Sequence, residues 1–231
     1  MKKPILIGIA GRRNSGKNTV AGYIKEWGES NGLKVELQGF ADRLKLSFAR
    51  LFVPDATLEE ALEFADYFKV HGELIANGGA LPLDIADRFG NMRITGRLAL
   101  QHYGTESHRD VFGDQFWVDQ LVPAFWHIKG PWSDDVDIGV VYDVRFPNEA
   151  QRIQEVGGIN WSVLRRSAEQ NDTHASEQVL SIEYIWDYIE NNGTLDELRQ
   201  EVFFKIGFVT TKQPSQNDYK WASRVNEALT T

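Results

Sequence analysis

The chain opens with a short apolar run, Ile5 to Ala10, that is rich in β-branched residues and is followed by a glycine. Such a run predicts a strand that is buried on both faces. Residues 17–29 then carry apolar side chains at helical spacing, and the Asn-Gly pair after them is a helix stop signal. A second strand is expected over residues 35–38 and a second helix over residues 42–51. This succession of strand, glycine turn, helix and strand predicts a βαβ unit.

Alternating helices and strands continue along the rest of the chain. Thr57 and Thr194 each precede a glutamate by three residues, which is the spacing of a helix capping box. Residues 71–93 resemble an irregular insertion. Further helices are expected over residues 57–70, 97–103, 116–126, 148–156 and 194–206, and further strands over residues 136–142 and 159–164. The pattern predicts one α/β domain with helical insertions over residues 1–207, followed by a polar tail over residues 208–231.

The composition narrows the class of protein. With 231 residues, of which 42% are hydrophobic and 25% are charged, the chain is long and apolar enough to bury a core. It has no cysteine, which excludes disulfide scaffolds, thiol catalysis and cysteine zinc sites. The formal net charge of −8 argues against sequence-independent binding of a nucleic-acid polymer. The first apolar run is too short for a signal peptide or a membrane helix, so a cytoplasmic protein without a membrane partner is expected.

The most specific motif lies between the first strand and the first helix, and it reads Gly11-Arg12-Arg13-Asn14-Ser15-Gly16-Lys17. Glycines at this spacing let the backbone wrap a phosphate with several N–H groups pointing inward, and the lysine reaches the outer phosphates. A Ser or Thr that binds magnesium usually follows the lysine, but Asn18 stands here, with Thr19 next. An amide oxygen is a weaker magnesium ligand, so the ion would also rely on water and a carboxylate. The alternative is a glycine-rich turn that binds nothing.

A second group of polar residues lies at the end of a predicted helix. Arg97 and Gln101 are four residues apart and share one helix face, and Glu106 and Arg109 follow. A guanidinium can clamp a phosphate with two hydrogen bonds, while Gln and Glu can hydrogen-bond a base or a sugar. The types of residue indicate a second nucleotide site. Spacing alone favours the alternative, an exposed polar helix face.

A third group follows the predicted strand over residues 136–142. Asp143 comes at the carboxyl end of this strand, where α/β folds place their ligand chemistry. Asp143 would organise a magnesium shell, and Arg145 would neutralise the phosphate that is transferred. The alternative for Asp143 is a turn cap. For Glu149, a contact with the dipole of the next helix is as well supported as a role in function.

Taken in order, these segments resemble the phage-type deoxynucleoside monophosphate kinases, a branch of the P-loop kinases. The family pattern joins a Ser-Gly-Lys-Asp-Thr phosphate loop, a Phe-Ala-Asp-x-Leu-Lys segment, an Arg-x-x-x-Gln-x-x-Gly-Thr-Glu helix end and an Asp-Val-Arg-Phe-x-x-Glu segment. The matching segments of this chain begin at Ser15, Phe40, Arg97 and Asp143. The resemblance covers about residues 4–206. Only the phosphate loop is strongly specific by itself, and the ordered set is much more specific.

The resemblance implies a three-layer P-loop kinase-like fold, with a parallel sheet between helices, and transfer of the γ-phosphoryl group of ATP to a deoxynucleoside 5′-monophosphate with magnesium as cofactor. Donor phosphates would lie on Gly11, Asn14, Ser15, Gly16, Lys17, Asn18 and Thr19. The acceptor would be bound by Asp42, Lys45, Arg97, Gln101, Thr105, Glu106 and Arg109, in part on a helical insertion over about residues 55–130. Lys17, Asp143 and Arg145 would be catalytic, and Asn18 and Asp143 would hold magnesium, partly through water. Asn18 replaces the family's usual Asp, which weakens the expected metal shell.

Several weaker signals leave alternatives open. Arg165 and Arg166 resemble the arginines of a lid, and a solvated pair of charges is a nearly equal alternative. The segment His174-Ala175-Ser176-Glu177 favours a helix start over a hydrolase triad, because triad members converge in space and not in sequence. The five histidines show no metal-ligand spacing.

Two other functions compete with the one that the resemblance implies. One is a different small-molecule P-loop kinase, such as a dephospho-coenzyme A kinase, and the other is a non-catalytic ATP-binding assembly or regulatory protein. A second site that carries arginines favours a kinase, because a binding module does not need it. The sequence leaves open the preferred base, the choice between deoxyribose and ribose, and the oligomeric state, with a homodimer among the options. If a phage encodes the chain, its compartment would be the host cytoplasm.

Overall fold

The computed structural model describes residues 4–71, 96–123, 131–166 and 180–211. The strands are β1 (Ile5–Ala10), β2 (Val35–Gln38), β3 (Ile138–Val144), β4 (Ile159–Leu164) and β5 (Asp187–Glu190). The α-helices are α1 (Lys17–Ser30), α2 (Phe40–Ala49), α3 (Leu58–His71), α4 (Gly96–Gly104), α5 (Asp110–Phe112), α6 (Phe116–Leu121), α7 (Pro147–Glu155) and α8 (Leu195–Thr211). A π-helical turn, Thr105–Arg109, joins α4 to α5, and a 3₁₀ turn spans Ile182–Tyr184.

The five described strands form one parallel sheet in the order β2-β3-β1-β4-β5. The first strand therefore lies at the centre, where Ile7 pairs with Val140 of β3 on one side and with Ile159 of β4 on the other. Its burial on both faces agrees with its uninterrupted apolar sequence. Because all strands are parallel, their carboxyl ends meet at one edge, and the loops that follow β1, β3, β4 and β5 lie there. The predicted α/β class is confirmed.

Helices cover both faces of the sheet. Alternate residues of β1 divide between two apolar clusters, because successive side chains of a strand point to opposite faces. Ile7 and Ile9 belong to the cluster that contains buried residues of α1 and α8, whereas Leu6 and Ala10 belong to the cluster that contains residues of α6 and α7. The central strand is thereby fixed on both sides, and so is the start of the loop that follows it.

The chain divides into two compact units. One consists of residues 1–40 and 118–231, and the other of residues 41–117. The second unit has an apolar cluster of its own, built from Phe48, Ala65, Phe68 and Leu100 with partly buried neighbours such as Tyr103. Its aromatic rings lie close together, with 5.1 Å between the ring centres of Phe48 and Phe68. None of the described helices has the length and apolar character needed to cross a bilayer.

Most of the predicted elements are present, and the differences have physical causes. Helix α2 begins two residues earlier than predicted, since Asp143 accepts a hydrogen bond from the N–H of Phe40. Helix α6 ends at Leu121 and not at residue 126, because Pro123 disfavours helical backbone at the residue before it. Strand β3 is displaced by two residues and includes Asp143. Helix α8 continues to Thr211, beyond its predicted end near residue 206.

Some predicted segments lie outside the described residues. These are nearly all of the insertion over residues 71–93, the family-like segment over residues 174–177 and residues 212–231 of the tail. Strand β5 was missed by the sequence pattern, because its four residues begin and end with acidic side chains.

Candidate active site

The loop between β1 and α1 follows a path that requires unusual backbone angles. Gly11 and Gly16 have φ angles of 142° and 104°, and Asn14 has a φ of 61°. Glycine adopts such angles without strain, and Asn tolerates the left-handed region better than most residues. Helix α1 begins directly after Gly16, and no side chain of the described residues caps its N-terminus. The N-terminus of a helix attracts anions through its backbone N–H groups and its dipole.

Lys17 lies on the first turn of α1, and its side chain turns back over the loop. Its ammonium donates to the carbonyl oxygen of Gly11 at 2.7 Å and to that of Arg12 at 2.9 Å. Both acceptors belong to the loop itself, so the charge is held at the loop by short local contacts. A cation in this position can interact with the outer phosphates of a nucleotide.

Ser15 contributes a buried hydroxyl to the same loop. Its Oγ has no hydrogen-bond partner among the described residues, although the side chain is only 1% exposed. A buried hydroxyl without a partner is costly, and a phosphate oxygen would satisfy it. The sequence placed Ser15 among the donor-binding residues.

A cavity of about 390 Å³ opens beside the phosphate loop. Its walls come from the loop after β1, from the end of β4 and from the residues around β5. The lining residues include Gly11, Arg12, Ser15, Arg165, Arg166 and Asn192. Its position at the carboxyl ends of parallel strands is the usual place for a ligand in this class of fold.

The two candidate lid arginines lie next to the phosphate loop. The guanidinium of Arg165 approaches the carbonyl oxygen of Asn14 at 3.4 Å. The backbone N–H of Arg166 donates to Oδ1 of Asn192 at 2.8 Å. The segment after β4 is thus connected both to the loop and to the residues after β5. Asn192 was not singled out from the sequence, since no motif marks it.

Asp143 is buried near the carboxyl end of β3. Its Oδ1 accepts a hydrogen bond of 2.7 Å from the N–H of Phe40, the first residue of α2. A Cβ at Gly39 would lie only 2.9 Å from Oδ2, so glycine is needed for this close approach. The carboxylate therefore holds the start of α2 in place, in addition to any role toward a metal.

Glu149 holds the backbone of Arg145 in place. Its buried carboxylate accepts hydrogen bonds from the N–H of Arg145 at 2.7 Å and from the N–H of Phe146 at 3.0 Å. From the sequence alone, a helix-end role and a functional role for Glu149 are equally supported. The geometry shows a helix-end contact that also holds the backbone of Arg145.

The oxygen donors near the loop suit magnesium, because Mg²⁺ prefers oxygen ligands and retains several of its waters. Asn18 is exposed on the first turn of α1 and Thr19 is half-buried beside it. Within the described ranges, no group of three or more acidic or histidine side chains forms a metal site.

The second unit contains a cationic cluster. Lys45, whose side chain is only 16% exposed, pairs with Asp66 at 3.4 Å, and Lys69 approaches the same carboxylate oxygen at 3.5 Å. Burial lowers the pKa of Lys69, and the positive charges of Lys45 and Arg97 lower it further. Two of the predicted acceptor residues, Lys45 and Arg97, thus lower the pKa of the same lysine. Lys69 was missed, since no motif includes it.

The remaining predicted acceptor residues lie on α2, α4 and the π-helical turn. Arg97, Gln101 and Thr105 are all exposed at intervals of four residues, which confirms that the first two share a helix face. Glu106 and Arg109 lie in the π-helical turn, and Arg109 is half-buried. Asp42 is buried in the first turn of α2.

Comparison with known proteins connects this geometry to a family. The family model of deoxynucleotide monophosphate kinases matches residues 85–202, which is more than half of the chain. The chain belongs to this family. A protein of Acanthamoeba polyphaga mimivirus that carries the name of the family is 30% identical over 215 residues, with 86% of this chain and 94% of the viral protein covered.

Two phage enzymes are similar over nearly the same length. The deoxynucleoside-5′-monophosphate kinase of Escherichia phage T5 is 24% identical, with 86% of this chain and 94% of the phage protein covered. The deoxynucleotide monophosphate kinase of Escherichia phage RB69 is 25% identical, with 85% of this chain and 97% of the phage protein covered. The family that the motifs of the sequence predicted is confirmed.

Proposed function

We propose that this member of the family transfers the γ-phosphoryl group of ATP to a deoxynucleoside 5′-monophosphate and produces the diphosphate. The observation that carries the proposal is the phosphate loop, with Lys17 held over it, in a chain that belongs to this family of kinases. Membership in the family does not favour a dephospho-coenzyme A kinase or a non-catalytic ATP-binding protein. The cytoplasm is the proposed compartment, that of the host if a virus encodes the chain.

The donor triphosphate is bound by the loop over residues 11–16 and by the start of α1. Backbone N–H groups of the loop contact the inner phosphates, the hydroxyl of Ser15 finds an acceptor there, and Lys17 moves from the loop carbonyls to the outer phosphates. The cavity beside the loop receives the rest of the nucleotide. Arg165 and Arg166, at its edge, neutralise charge on the phosphates.

The acceptor is bound by residues of the second unit, in part by those of the proposed acceptor-binding insertion over about residues 55–130. Lys45, Lys69 and Arg97 supply positive charge for its phosphate, and Gln101, Thr105, Glu106, Arg109 and Asp42 supply hydrogen bonds and charge to the rest of the nucleotide. The phosphate of the acceptor is ionised at neutral pH, so the reaction needs no general base. Positioning and charge stabilisation are the main tasks of the protein in such a transfer.

Asn18 and Asp143 are the proposed contacts to magnesium, partly through water. When bound, the ion would supply positive charge that neutralises charge on the phosphates. Asp143 also accepts the N–H of Phe40 through Oδ1, while Arg145 stabilises the charge of the transferred group. Glu149 keeps the backbone of Arg145 in place throughout.

The test is an assay of ADP release with purified protein, ATP and magnesium, across dAMP, dGMP, dCMP, dTMP and the four ribonucleotides. At least one deoxynucleoside monophosphate should be phosphorylated, and omission of magnesium should abolish the activity. Protein that binds ATP but phosphorylates none of the eight acceptors would contradict the proposed function.

A further inference from the structure

Asn191, directly after β5, contacts the phosphate loop from outside. Its amide Nδ2 donates to the carbonyl oxygen of Ser15 at 2.7 Å, across 176 positions of the chain. The residue is only 8% exposed, and its own backbone N–H donates to the carbonyl oxygen of Leu164 at the end of β4. The backbone of Asn191 is therefore bonded to the sheet, and its side chain is bonded to the loop.

Gly16 explains why the amide approaches the loop so closely. A Cβ at Gly16 would lie 2.3 Å from Nδ2 of Asn191, which is far inside van der Waals contact. Gly16 also has a left-handed φ of 104°. Two independent features, space and backbone angle, thus require glycine where Asn191 packs against the loop.

The hydrogen bond fixes the orientation of one peptide group. In a trans peptide, the carbonyl oxygen and the following N–H point in opposite directions. When Asn191 holds the oxygen of Ser15, the N–H of Gly16 is directed to the other side of the loop, away from Asn191. A loop that binds phosphate through backbone N–H groups needs such fixed peptide orientations.

We propose that Asn191 is a positioning residue for the donor triphosphate, and this proposal rests on the proposed function of the phosphate loop. It orients the peptide between Ser15 and Gly16, so that the N–H of Gly16 contacts phosphate without reorganisation. Asn191 itself does not touch the nucleotide. Its effect should appear in the affinity for the phosphates and should be the same with or without a base and a ribose.

The experiment compares Asn191→Asp and Asn191→Ala with the wild-type protein. Asn191→Asp keeps the shape of the side chain, removes the donor and adds a negative charge, whereas Asn191→Ala removes the donor without adding charge, so a loss of affinity that both variants share reports the hydrogen bond. Dissociation constants are measured by equilibrium titration for ATP, for inorganic tripolyphosphate and for a deoxynucleoside monophosphate, and Tm is recorded. In both variants, the dissociation constants for ATP and for tripolyphosphate should rise about tenfold, and that for the monophosphate should stay within about twofold. A change of this size is expected for the loss of one hydrogen bond that orients a binding group.

A matched control is Asn160→Asp. Asn160 is a fully buried asparagine of β4, and its amide donates to the carbonyl oxygens of Ala150 and Tyr184, away from the phosphate loop. This variant should lower Tm and leave the affinity for ATP and tripolyphosphate unchanged. Equal loss of affinity in Asn160→Asp, or unchanged affinity in both Asn191 variants, would overturn the proposal. A wild-type protein that binds neither ATP nor tripolyphosphate would instead overturn the proposed function.

Discussion

At the scale of single residues, Glu149 is a buried carboxylate that holds the backbone of a residue proposed to act in catalysis. It accepts two backbone hydrogen bonds, and one of them comes from Arg145, the residue proposed to stabilise the transferred phosphate. Glu149→Gln keeps the size of the side chain but weakens bonds that the negative charge strengthens. We expect kcat to fall by about tenfold. This loss is smaller than the roughly hundredfold loss that a misplacement of about 1 Å causes. The KM for ATP should remain within about twofold.

Steady-state kinetics and thermal unfolding measure the effect at Glu149. The matched control is Glu155→Gln on the same helix, because Glu155 is an exposed partner of Arg152 in an ion pair of the surface type, which contributes little. If Glu149→Gln had the same kcat as Glu155→Gln, the hydrogen bond between Glu149 and the N–H of Arg145 would not affect the reaction.

The residue scale also shows which parts of the site can be predicted. Gly11, Gly16 and Lys17 lie within seven positions, so their relation is visible in the sequence. The contact of Asn191 with Ser15 spans 176 positions and depends on the order of strands in the sheet. A single asparagine after a short strand carries no local signal of such a contact.

At the scale of elements, some strands can likewise be predicted from the local sequence, whereas others depend on the fold. Strands β1 and β4 have their predicted bounds, because β1 is an unbroken apolar run and β4 carries apolar Ile159, Trp161 and Val163 at alternate positions, and both strands are buried in the sheet. Strand β5 has four residues, of which the first and last are acidic, and lies at the edge of the sheet. Its formation depends on pairing with β4 more than on its own composition. A short edge strand with acidic ends is therefore the kind of element that a pattern of apolar residues misses, whereas β2, an edge strand of the same length, was predicted.

The capping box of α8 gives a prediction at this scale. Oε2 of Glu197 accepts bonds from the N–H and the hydroxyl of Thr194, and these bonds lower the pKa of Glu197. Thr194→Ala removes one of these bonds and the N-terminal cap. We expect Tm to fall by about 2–4 °C at neutral pH. Because the pKa of Glu197 is depressed in the folded protein, its contribution is present above its ordinary value of 4.5 and is lost as the pH falls below it.

The measurement is Tm of wild type and Thr194→Ala from pH 7 down to pH 3, where the difference between them should shrink. Thr211→Ala is the control, since among the described residues its hydroxyl donates to carbonyl oxygens of the last turn of the same helix. A difference in Tm that stays constant across this pH range would mean that the charge of Glu197 does not contribute.

At the scale of the whole molecule, the proposed donor residues and the proposed acceptor residues belong to different units of the chain. Lys17 lies in the unit of residues 1–40 and 118–231, and Arg97 lies in the unit of residues 41–117. A ligand that binds the folded state stabilises it by mass action, by about 2.7 kcal/mol at a concentration a hundredfold above Kd. Each nucleotide should therefore raise Tm through residues of its own unit.

Lys17→Met and Arg97→Ala separate the two contributions. Thermal unfolding is recorded without ligand, with ATP and magnesium, and with the deoxynucleoside monophosphate that the assay identifies as the best acceptor. Lys17→Met should lose most of the rise in Tm caused by ATP and keep the rise caused by the monophosphate, whereas Arg97→Ala should show the reverse. Lys25→Met, at an exposed lysine of α1, should respond to both nucleotides as the wild type does. If Arg97→Ala instead lost the response to ATP, Arg97 would bind the donor, and the assignment of the second unit to the acceptor would be wrong.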